Sequence, residues 1–507
     1  MMKNKKIKTL EELAKIAGSL KKHGKKVAHC HGCFDLLHIG HMKHFEAARE
    51  KADVLIVTVT PDRFVNKGPN RPYFNENLRL EALAALAVVD YVALNTWPTA
   101  EKTIQLLKPD FYVKGSDYKD MKSDATGNIY REKDAIESVG GKLMFTDEIT
   151  FSSSSILNQF FSVFLENTRY YLAELKEEHT AGDIIAHIEK LKNVKVLVVG
   201  DVIIDEYVYC TPMGRVEKAP IISTQWTGEE RFMGGSVAIA RHIDQLTDHV
   251  GLLATINEQD ARWINDELSQ TRIKAHFVSS KEIATVRKRR YIAKTSSIFQ
   301  KMFEVNYLDD KRQENVEKRM TETLKKVMHD YDAIIVADFG HGLVTTEVIN
   351  AVLKSGKFVA VNAQTNSANH GYNYITKYHS PSYISIDENE LRLPFQDKHG
   401  DTQELIKKLV QVSNCRKINV TLGSEGALYF ENKKHYYVPA LAGRVVDTVG
   451  AGDAVLAITS LLAYTGCPPE LIPFIGNCMG AIAVTIVGNK EPVSLEKLKT
   501  FIESVLK

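Results

Sequence analysis

The sequence has few cysteines and no long apolar run. Its 507 residues include six cysteines, which suits reduced thiols better than a disulfide framework. No apolar stretch reaches the roughly 18 residues of a membrane span, so no transmembrane helix is predicted. The N-terminal segment is basic but lacks the apolar core of a secretory signal. These absences predict a cytoplasmic protein that does not associate with a membrane.

A strong charge of either sign is also lacking. The 65 Lys and Arg residues against 63 Asp and Glu residues give a formal net charge of +2. This balance implies no general attraction to nucleic acid or to anionic membranes. The basic run at 287–290 is too short to change that expectation. A globular chain of this length is expected to form roughly two to four domains.

Buried-strand patterns alternate with helical periodicity in two separate regions. The first region is 1–160 and the second is 194–507, whereas 161–193 has helical patterning only and is interpreted as a connector. Strand–helix alternation predicts an α/β fold with a doubly wound parallel sheet in each domain. A strand-rich stretch at 202–232 predicts a β insertion near the start of the second domain.

The first candidate site is the segment HCHGCFDLLHIGH at 29–41. His38 and His41 flank Gly40 where a helix is predicted to begin after a strand. Ligands of open α/β sheets bind at such positions, and imidazoles there can donate hydrogen bonds to a phosphate under attack. Two surface histidines on a loop are the competing interpretation.

Two cysteines of the same segment, Cys30 and Cys33, have CxxC spacing. A zinc site would need a second pair of ligands at suitable spacing. A strand end that runs into a turn is the favoured interpretation of this spacing.

Ordered motifs in the first region resemble the cytidylyltransferase-like nucleotidyltransferases, a superfamily that includes glycerol-3-phosphate cytidylyltransferase and the heptose-phosphate adenylyltransferases. The motifs are GCFDLLHIGH at 32–41, the Arg71-Pro72 pair, Glu76 with Arg79, and KGSDY at 114–118. The resemblance implies that His38 and His41 stabilise the transferring α-phosphate. The nucleotide-binding residues that it implies are Cys33, Phe34, Gly40, Arg79, Lys114, Ser152, Ser153 and Ser154. The implied reaction converts CTP or ATP and a sugar 1-phosphate into an NDP-sugar and pyrophosphate, with Mg²⁺ on the phosphates.

The second candidate site is the segment DTVGAGDA at 447–454. Glycines at a helix start expose backbone N–H groups that can bind a phosphate. Asp453 beside them can act as general base toward a hydroxyl. With a helix expected from Ala454 to Tyr464, the segment resembles the second signature of the ribokinase-like (PfkB) carbohydrate kinases. That resemblance covers about 194–505 and implies ATP and Mg²⁺ as cofactors and a lid formed by the β insertion.

The same resemblance implies roles for residues along the second region. The implied sugar-binding residues are Asp205, Gly234, Gly235, Lys288, Arg290 and Asp338. The implied nucleotide-binding residues are Thr421, Gly423, Gly450, Ala451, Gly452 and Asn477. Asp387 and Glu390 lie near an element that supports Mg²⁺ through water. For Lys288 and Arg290, a contact with a phosphate on the sugar competes with a solvated strand face.

Both regions together are most similar to the two-activity heptose 7-phosphate kinase/heptose 1-phosphate adenylyltransferases, with three departures. The transferase region precedes the kinase region, although domains joined by a connector can be permuted without changing either site. Ala238 stands where an Asn normally contacts the sugar. Gln364, Asn366 and Asn369 replace a charged segment and either read a different substrate or form a polar loop.

The expected function is therefore a bifunctional sugar kinase and sugar-phosphate nucleotidyltransferase. Its product would be an NDP-activated sugar, heptose-like or related, for surface glycan synthesis. The expected partners are a sugar or sugar phosphate and a second copy of the chain in a homodimer. The alternative is a nucleotidyltransferase whose kinase-like domain only binds sugar or regulates. Neither the sugar nor the choice between CTP and ATP is fixed by a motif.

Overall fold

The computed structural model describes residues 5–65, 71–115, 128–146, 164–219, 221–294, 299–308, 314–367 and 369–506. Of the predicted site residues, Ser152, Ser153 and Ser154 lie outside these described ranges. The chain divides into two compact units, Met1–Leu165 with Lys499–Lys507 and Glu166–Leu498. No helix within the described ranges is long and apolar enough to cross a bilayer.

The first unit is a parallel sheet covered by helices. Its described strands are β1 (Val27–Gly32), β2 (Val54–Val59), β3 (Tyr91–Leu94), β4 (Phe111–Lys114) and β5 (Lys142–Phe145). Its described helices are α1 (Leu10–Lys22), α2 (Ile39–Glu50), α3 (Glu76–Ala84), α4 (Glu101–Leu107) and α5 (Asn128–Ser138). The strand order is β3-β2-β1-β4-β5, and each neighbouring pair is parallel.

Local sequence explains how these elements form. The residues of β2, VLIVTV, are almost all buried because helices cover both faces of the sheet. A capping box starts α1, where the Thr9 hydroxyl accepts from the Glu12 amide and the Glu12 carboxylate accepts from the Thr9 amide. The strand order reverses between β1 and β4, so a ligand is expected beyond their carboxyl ends. The turn that leads into α2 lies there.

The second unit contains two sheets. Its described strands are β6 (Lys195–Gly200), β7 (Val202–Arg215), β8 (Ile222–Gly235), β9 (His249–Asn257), β10 (Ile273–Ser280), β11 (Val286–Lys294), β12 (Phe299–Tyr307), β13 (Ala333–Asp338), β14 (Phe358–Ala363), β15 (Tyr383–Asp387), β16 (Ile418–Thr421), β17 (Ala427–Glu431) and β18 (Lys434–Val438). Its described helices begin with α6 (Glu166–Glu178), α7 (Ala181–Glu189), α8 (Ser236–Asp244), α9 (Glu258–Leu268), α10 (Glu314–Val327) and α11 (Thr346–Leu353). The later helices are α12 (Glu388–Arg392), α13 (Thr402–Ser413), α14 (Ala451–Tyr464), α15 (Leu471–Ala483) and α16 (Leu495–Val505), the last of which crosses the division between the units.

The larger sheet has the order β10-β9-β6-β13-β14-β15-β16-β17-β18. Its pairs are parallel as far as β16 and antiparallel from β16 to β18. The smaller sheet, β12-β11-β7-β8, is called the lid sheet below. The predicted α/β class, with doubly wound parallel sheets and a β insertion, is confirmed.

Polar residues collect at the carboxyl ends of the parallel strands in the larger sheet. Asp201 follows β6, Asp338 and Asp387 end β13 and β15, Gln364 follows β14, and Thr421 ends β16. Parallel strands bring their carboxyl ends to one edge of the sheet, so these residues lie along a single rim. The lid sheet also starts there, because β7 begins directly after Asp201.

Candidate active sites

In the first unit, His38 and His41 stack on one another at the start of α2. Their ring centroids are 4.0 Å apart with an interplanar angle of 30°. His38 is the N-cap of α2, and its Nδ1 accepts from the Gly40 amide at 3.1 Å. An accepting Nδ1 places the ring proton of a neutral His38 on Nε2. That Nε2 is buried without a hydrogen-bond partner among the described residues, which leaves its N–H available to a ligand.

The protonation state of His38 suits this donor role. Burial lowers its pKa below the ordinary histidine value, so the neutral ring dominates at pH 7. The ring of Phe34 is buried and packs edge-on against His41 at 5.4 Å between centroids. Phe34 thus supports the histidine pair, and its contact with a nucleotide stays a prediction.

The Arg79 side chain, which was predicted to contact phosphate, is bonded to groups of the protein. Its side chain is buried. Its guanidinium donates to the carbonyl oxygens of Phe74, Cys33 and Thr60 at 2.9, 2.5 and 2.8 Å, and it pairs with Asp62 at 2.5 Å. All three guanidinium nitrogens therefore bind protein oxygens. These bonds tie the turn after β1 to the segment after β2, and the phosphate contact of Arg79 stays a prediction.

We expect Arg79→Met to lower the free energy of unfolding of the first unit by at least about 3 kcal/mol, because it leaves buried carbonyl groups without donors. The measurement is hydrogen exchange of the β1 and β2 amides with increasing urea. Arg63→Met, which changes an exposed arginine, is the matched control. Unchanged protection together with a large rise in the nucleotide KM of the transferase would restore the predicted phosphate contact.

Lys114 ends β4, beside β1, on the same side of the sheet as the histidine pair. Its ammonium pairs with the buried Glu132 carboxylate at 2.8 Å. Burial, helped by the Lys114 charge, lowers the pKa of His44 to about 4 and that of His31 to about 3. These neutral histidines surround a cation at the carboxyl end of the sheet. The predicted phosphate contact of Lys114 stays a prediction.

In the second unit, one cavity of about 730 Å³ gathers most of the predicted site residues. It lies over the rim where the parallel strands end, between the lid sheet and α14. The predicted residues that line it are Asp205, Gly235, Lys288, Arg290, Asp387, Glu390, Thr421, Gly423, Gly450, Ala451, Gly452, Asp453 and Asn477. Residues as far apart in sequence as Ile203 and Asn489 meet here.

Asp453 lies among charged side chains from the lid sheet. Burial and the nearby Asp205 charge raise its pKa to about 7, against an opposing effect of Lys288. Asp205 pairs with Arg290, whereas Lys288 has no ion-pair partner in the described part of the chain. Neighbouring Gly234 makes room for Asp205, since a Cβ at this glycine would collide with the Asp205 carboxylate. A carboxyl group with a pKa near 7 can accept a proton at neutral pH.

The turn before Asp453 forms the N-terminus of α14. The helix begins at Ala451, three residues earlier than predicted, and Gly450 is its N-cap with φ of 82°. A side chain at Gly450 would be strained at that angle and would collide with Asn489. The first amides of a helix lack intrahelical acceptors and attract anions. The earlier start places these amides and Asp453 in one helical turn, beside the same cavity.

Asp387 and Glu390 form a carboxylate pair on the cavity wall. They make a capping box at the start of α12, in which each carboxylate accepts from the other residue's amide at 2.8 Å. Burial and the Asp387 charge raise the pKa of Glu390 to about 8. Neither carboxylate has a cationic partner within the described ranges. Two adjacent uncompensated carboxylates fit a hydrated Mg²⁺ ion, which binds proteins through few oxygen ligands and retains water.

Part of the cavity has apolar and amide lining. Leu422, Leu441, Val445 and Val484 line it, next to Thr421, Gly423 and Asn477. The Asn477 side chain donates to the carbonyl oxygens of Val438 and Pro439 at 3.1 Å each, so it holds the loop after β18. An apolar slot of this kind suits a nucleotide base.

Asp338 does not line this cavity, contrary to its predicted sugar-binding role. Its side chain is buried and accepts from the Tyr378 hydroxyl at 2.7 Å, the Gly340 amide at 3.1 Å and the Asn373 amide at 3.2 Å, and it also pairs with Lys377. These partners satisfy both carboxylate oxygens. Asp338 therefore shapes the loop after β13, and its sugar contact stays a prediction.

The three amide residues Gln364, Asn366 and Asn369 differ in whether they line the cavity. Asn366 and Asn369 each donate to the Phe339 carbonyl oxygen, at 2.9 and 2.8 Å. They support the loop after β13 instead of reading a substrate. Gln364 lines the cavity together with Asn362, so only this part of the segment can contact a ligand there.

No role is predicted from the sequence for Asp447, Tyr207 or Lys301. The Asp447 carboxylate is fully buried and bonds to both other side chains. Asp447 could have been singled out, because it belongs to the DTVGAGDA segment. Lys301 and Tyr207 carry no signal in the sequence, since only the fold of the lid sheet brings them to that segment.

The parallel sheets of the two units and the two phosphate-type sites define a two-domain α/β protein of the nucleotide-dependent transferase class. The chain belongs to the pfkB family of carbohydrate kinases, whose profile matches residues 194–494, more than half of the chain. A second profile, described as cytidylyltransferase-like, matches residues 29–159. Both resemblances predicted from the motifs are thereby confirmed.

Similar curated proteins are bifunctional proteins named HldE. The protein from Aliarcobacter butzleri is 42% identical over 142 residues, which cover 27% of this chain and 29% of that protein. The protein from Koribacter versatilis is 27% identical over 302 residues, which cover 58% of this chain and 60% of that protein. The matched parts thus span between 29 and 60% of these two relatives. The order of the two domains is reversed relative to theirs, as predicted.

A solved structure with the fold of the second unit is phosphofructokinase-2 from Escherichia coli in complex with potassium. It has a TM-score of 0.51 at 14% identity and covers 62% of this chain and 100% of its own. At that identity the likeness shows the fold alone.

Proposed function

We propose that the chain is a bifunctional enzyme that phosphorylates a sugar or sugar phosphate and then attaches a nucleotide to give an NDP-activated sugar. The observation that carries this proposal is the cavity of the second unit, where Asp453, the amide turn and Lys288 meet. The stacked His38 and His41 supply the second chemistry. A heptose-like sugar, surface glycan synthesis, a cytoplasmic location and a homodimer belong to the same proposal.

In the kinase step, Asp453 takes the proton of a sugar hydroxyl as its oxygen attacks the γ-phosphorus of ATP. The bond from that phosphorus to the β–γ bridging oxygen breaks, and ADP leaves. The amides at the start of α14 stabilise the charge that develops on the transferred group. Asp387 and Glu390 would hold Mg²⁺, which neutralises phosphate charge when it is bound.

The basic side of the cavity suggests the substrate class. Lys288 lines the cavity near Asp453 and has no ion-pair partner in the described structure, whereas Arg290 is held by Asp205 and Glu304. Burial disfavours the positive charge of Lys288 and lowers its pKa, so an anionic ligand that pairs with this charge would be favoured. A sugar that already carries a phosphate supplies such an anion, and Lys288 is the residue that would bind it.

In the transferase step, a phosphate oxygen of the sugar 1-phosphate attacks the α-phosphorus of a nucleoside triphosphate. The bond to the α–β bridging oxygen breaks, and pyrophosphate leaves. The buried Nε2–H of His38 and the stacked His41 stabilise the charge on the α-phosphate. CTP and ATP are both candidate donors.

Mass spectrometry of products from the full chain tests this proposal. The chain is incubated with Mg²⁺, ATP, CTP and a panel of free sugars and sugar phosphates. We expect ADP with a newly phosphorylated sugar, followed by an NDP-sugar and pyrophosphate. If an NDP-sugar forms from supplied sugar 1-phosphates while ATP yields no phosphorylated sugar, the alternative of a binding or regulatory kinase-like domain replaces the kinase half of the proposal.

We expect Lys288→Met to raise the KM for a sugar phosphate by about 10-fold to 100-fold, the cost of losing a charged hydrogen bond. The KM for ATP should change much less, because other residues, among them Leu422 and Leu441, line the proposed nucleotide slot. Steady-state kinetics against both substrates is the measurement. Lys294→Met, on the same strand β11 but directed at the Tyr209 ring, is the control. Equal KM values for wild type and Lys288→Met would remove the phosphate contact from the proposal.

A further inference from the structure

The buried carboxylate of Asp447 joins the lid sheet to the turn that precedes Asp453. It accepts from the Tyr207 hydroxyl at 2.6 Å and from the Lys301 ammonium at 2.5 Å. It also accepts from the Gly488 amide at 2.9 Å and from the Val449 amide at 3.1 Å. Four donors from four segments of the chain therefore meet on one side chain.

Two of these donors belong to the lid sheet, on strands that flank β11. Tyr207 is on β7 and Lys301 is on β12. The Tyr207 ring is fully buried in an apolar cluster of the lid sheet that includes Phe232. The Lys301 side chain is 36% exposed, whereas that of Asp447 is fully buried. The Asp447 carboxylate is therefore bonded to both β7 and β12, and its two lid bonds form only when both strands are packed against it.

The other two donors belong to the phosphate turn and the loop against it. Val449 precedes Gly450, the N-cap of α14, and Gly488 is adjacent to Asn489, which packs on Gly450. Burial alone would raise the pKa of Asp447, but the bonds from Lys301, Tyr207, Val449 and Gly488 together lower it. The two lid donors therefore help to keep the buried carboxylate ionised, because a buried charge without partners is strongly unfavourable.

We propose that Lys301 is a positioning residue for phosphoryl transfer, and that its ion pair with Asp447 couples the lid sheet to the amide turn that binds the transferring phosphate. The inference rests on the proposed kinase function for its catalytic consequence. Its structural part does not depend on activity. Without the Lys301 ammonium, the Asp447 carboxylate has no cationic partner in the lid sheet. The carboxylate then holds the amides of the Val449–Gly450 turn less firmly.

The test compares full-length Lys301→Met, Lys301→Arg and the control Lys294→Met, which removes another lysine of the lid sheet. Hydrogen–deuterium exchange is followed on peptides that cover 447–453 and 484–490. We expect faster exchange there in Lys301→Met, with wild-type exchange in Lys294→Met and partial restoration in Lys301→Arg. We also expect the kinase kcat of Lys301→Met to fall about 10-fold to 100-fold, as a misplaced anion site implies, with a much smaller change in the sugar KM.

The transferase activity of the same chain reports folding and concentration, and it should not change. Wild-type exchange at 447–453 in Lys301→Met overturns the coupling, and an equal loss of kcat in Lys294→Met overturns its assignment to Lys301. If the wild-type chain transfers no phosphoryl group, the proposed kinase function fails, and the exchange measurement still decides the coupling.

Discussion

Asp453→Asn is expected to reduce the kcat of phosphoryl transfer by about 100-fold to 10,000-fold, the usual contribution of a general base. An amide of nearly the same shape keeps the cavity packed but cannot take the proton of a sugar hydroxyl. The sugar KM should change little, because Asp453 accepts the hydroxyl proton during phosphoryl transfer and not when the sugar binds. The measurement is ADP release with the best sugar substrate, using the nucleotidyl transfer activity of the same preparation as the control.

The pH profile supplies an independent check on this base. Burial and the Asp205 charge raise the pKa of Asp453 to about 7, so below that pH the carboxyl group is protonated in the folded protein and cannot act as base. The kinase kcat/KM should therefore fall about tenfold per pH unit below 7 and level off above it. Phosphoryl transfer that survives in Asp453→Asn with the same acidic limb would show that another group is the base.

His41→Ala is expected to reduce nucleotidyl transfer by about 100-fold to 1,000-fold, the range for removing a donor that stabilises transition-state charge. The change also removes the stacking partner of His38 at 4.0 Å, so the two imidazoles act as one unit and their losses should not add. Pyrophosphate release from nucleoside triphosphate plus sugar 1-phosphate is the measurement.

The two variants control one another, because each site lies in its own unit of the chain. His41→Ala should keep phosphoryl transfer, and Asp453→Asn should keep nucleotidyl transfer. His44→Ala is a further control in the first unit, since His44 is on the same helix and bonds to Thr146 at 2.9 Å. A His41→Ala chain that releases pyrophosphate at the wild-type rate would overturn the proposed role of the pair.

Much of the fold could be predicted because its signals are local. The strand–helix alternation of both regions and the β insertion near the start of the second follow from short stretches of sequence and agree with the structure. The histidine pair and the glycine turn could also be located, because each site needs a few residues at fixed spacing beside a strand end or a helix start. The start of α14 was placed three residues late, since helical periodicity does not report the first turn of a helix.

The roles of charged residues could be predicted only in part. Arg79 and Asp338 were expected to bind ligands, and the structure shows both fully engaged with the protein. A motif gives the residue type and its position, but the direction of a long side chain depends on partners that are distant in sequence. Arg79 reaches Thr60 and Cys33, and Asp338 reaches Tyr378, because neighbouring strands end together at the same edge of a sheet.

The sequence by itself determined that this chain has two α/β domains, each with a phosphate-type motif where a helix begins. Periodicity and short motifs are local properties, so no tertiary information was needed. Only the tertiary structure decided which charged side chains line the cavity and which are bonded to other protein groups, and only the tertiary structure places Lys301 beside Asp447. The reason is burial: a charged group removed from water needs a partner, and the fold determines which partners are within reach.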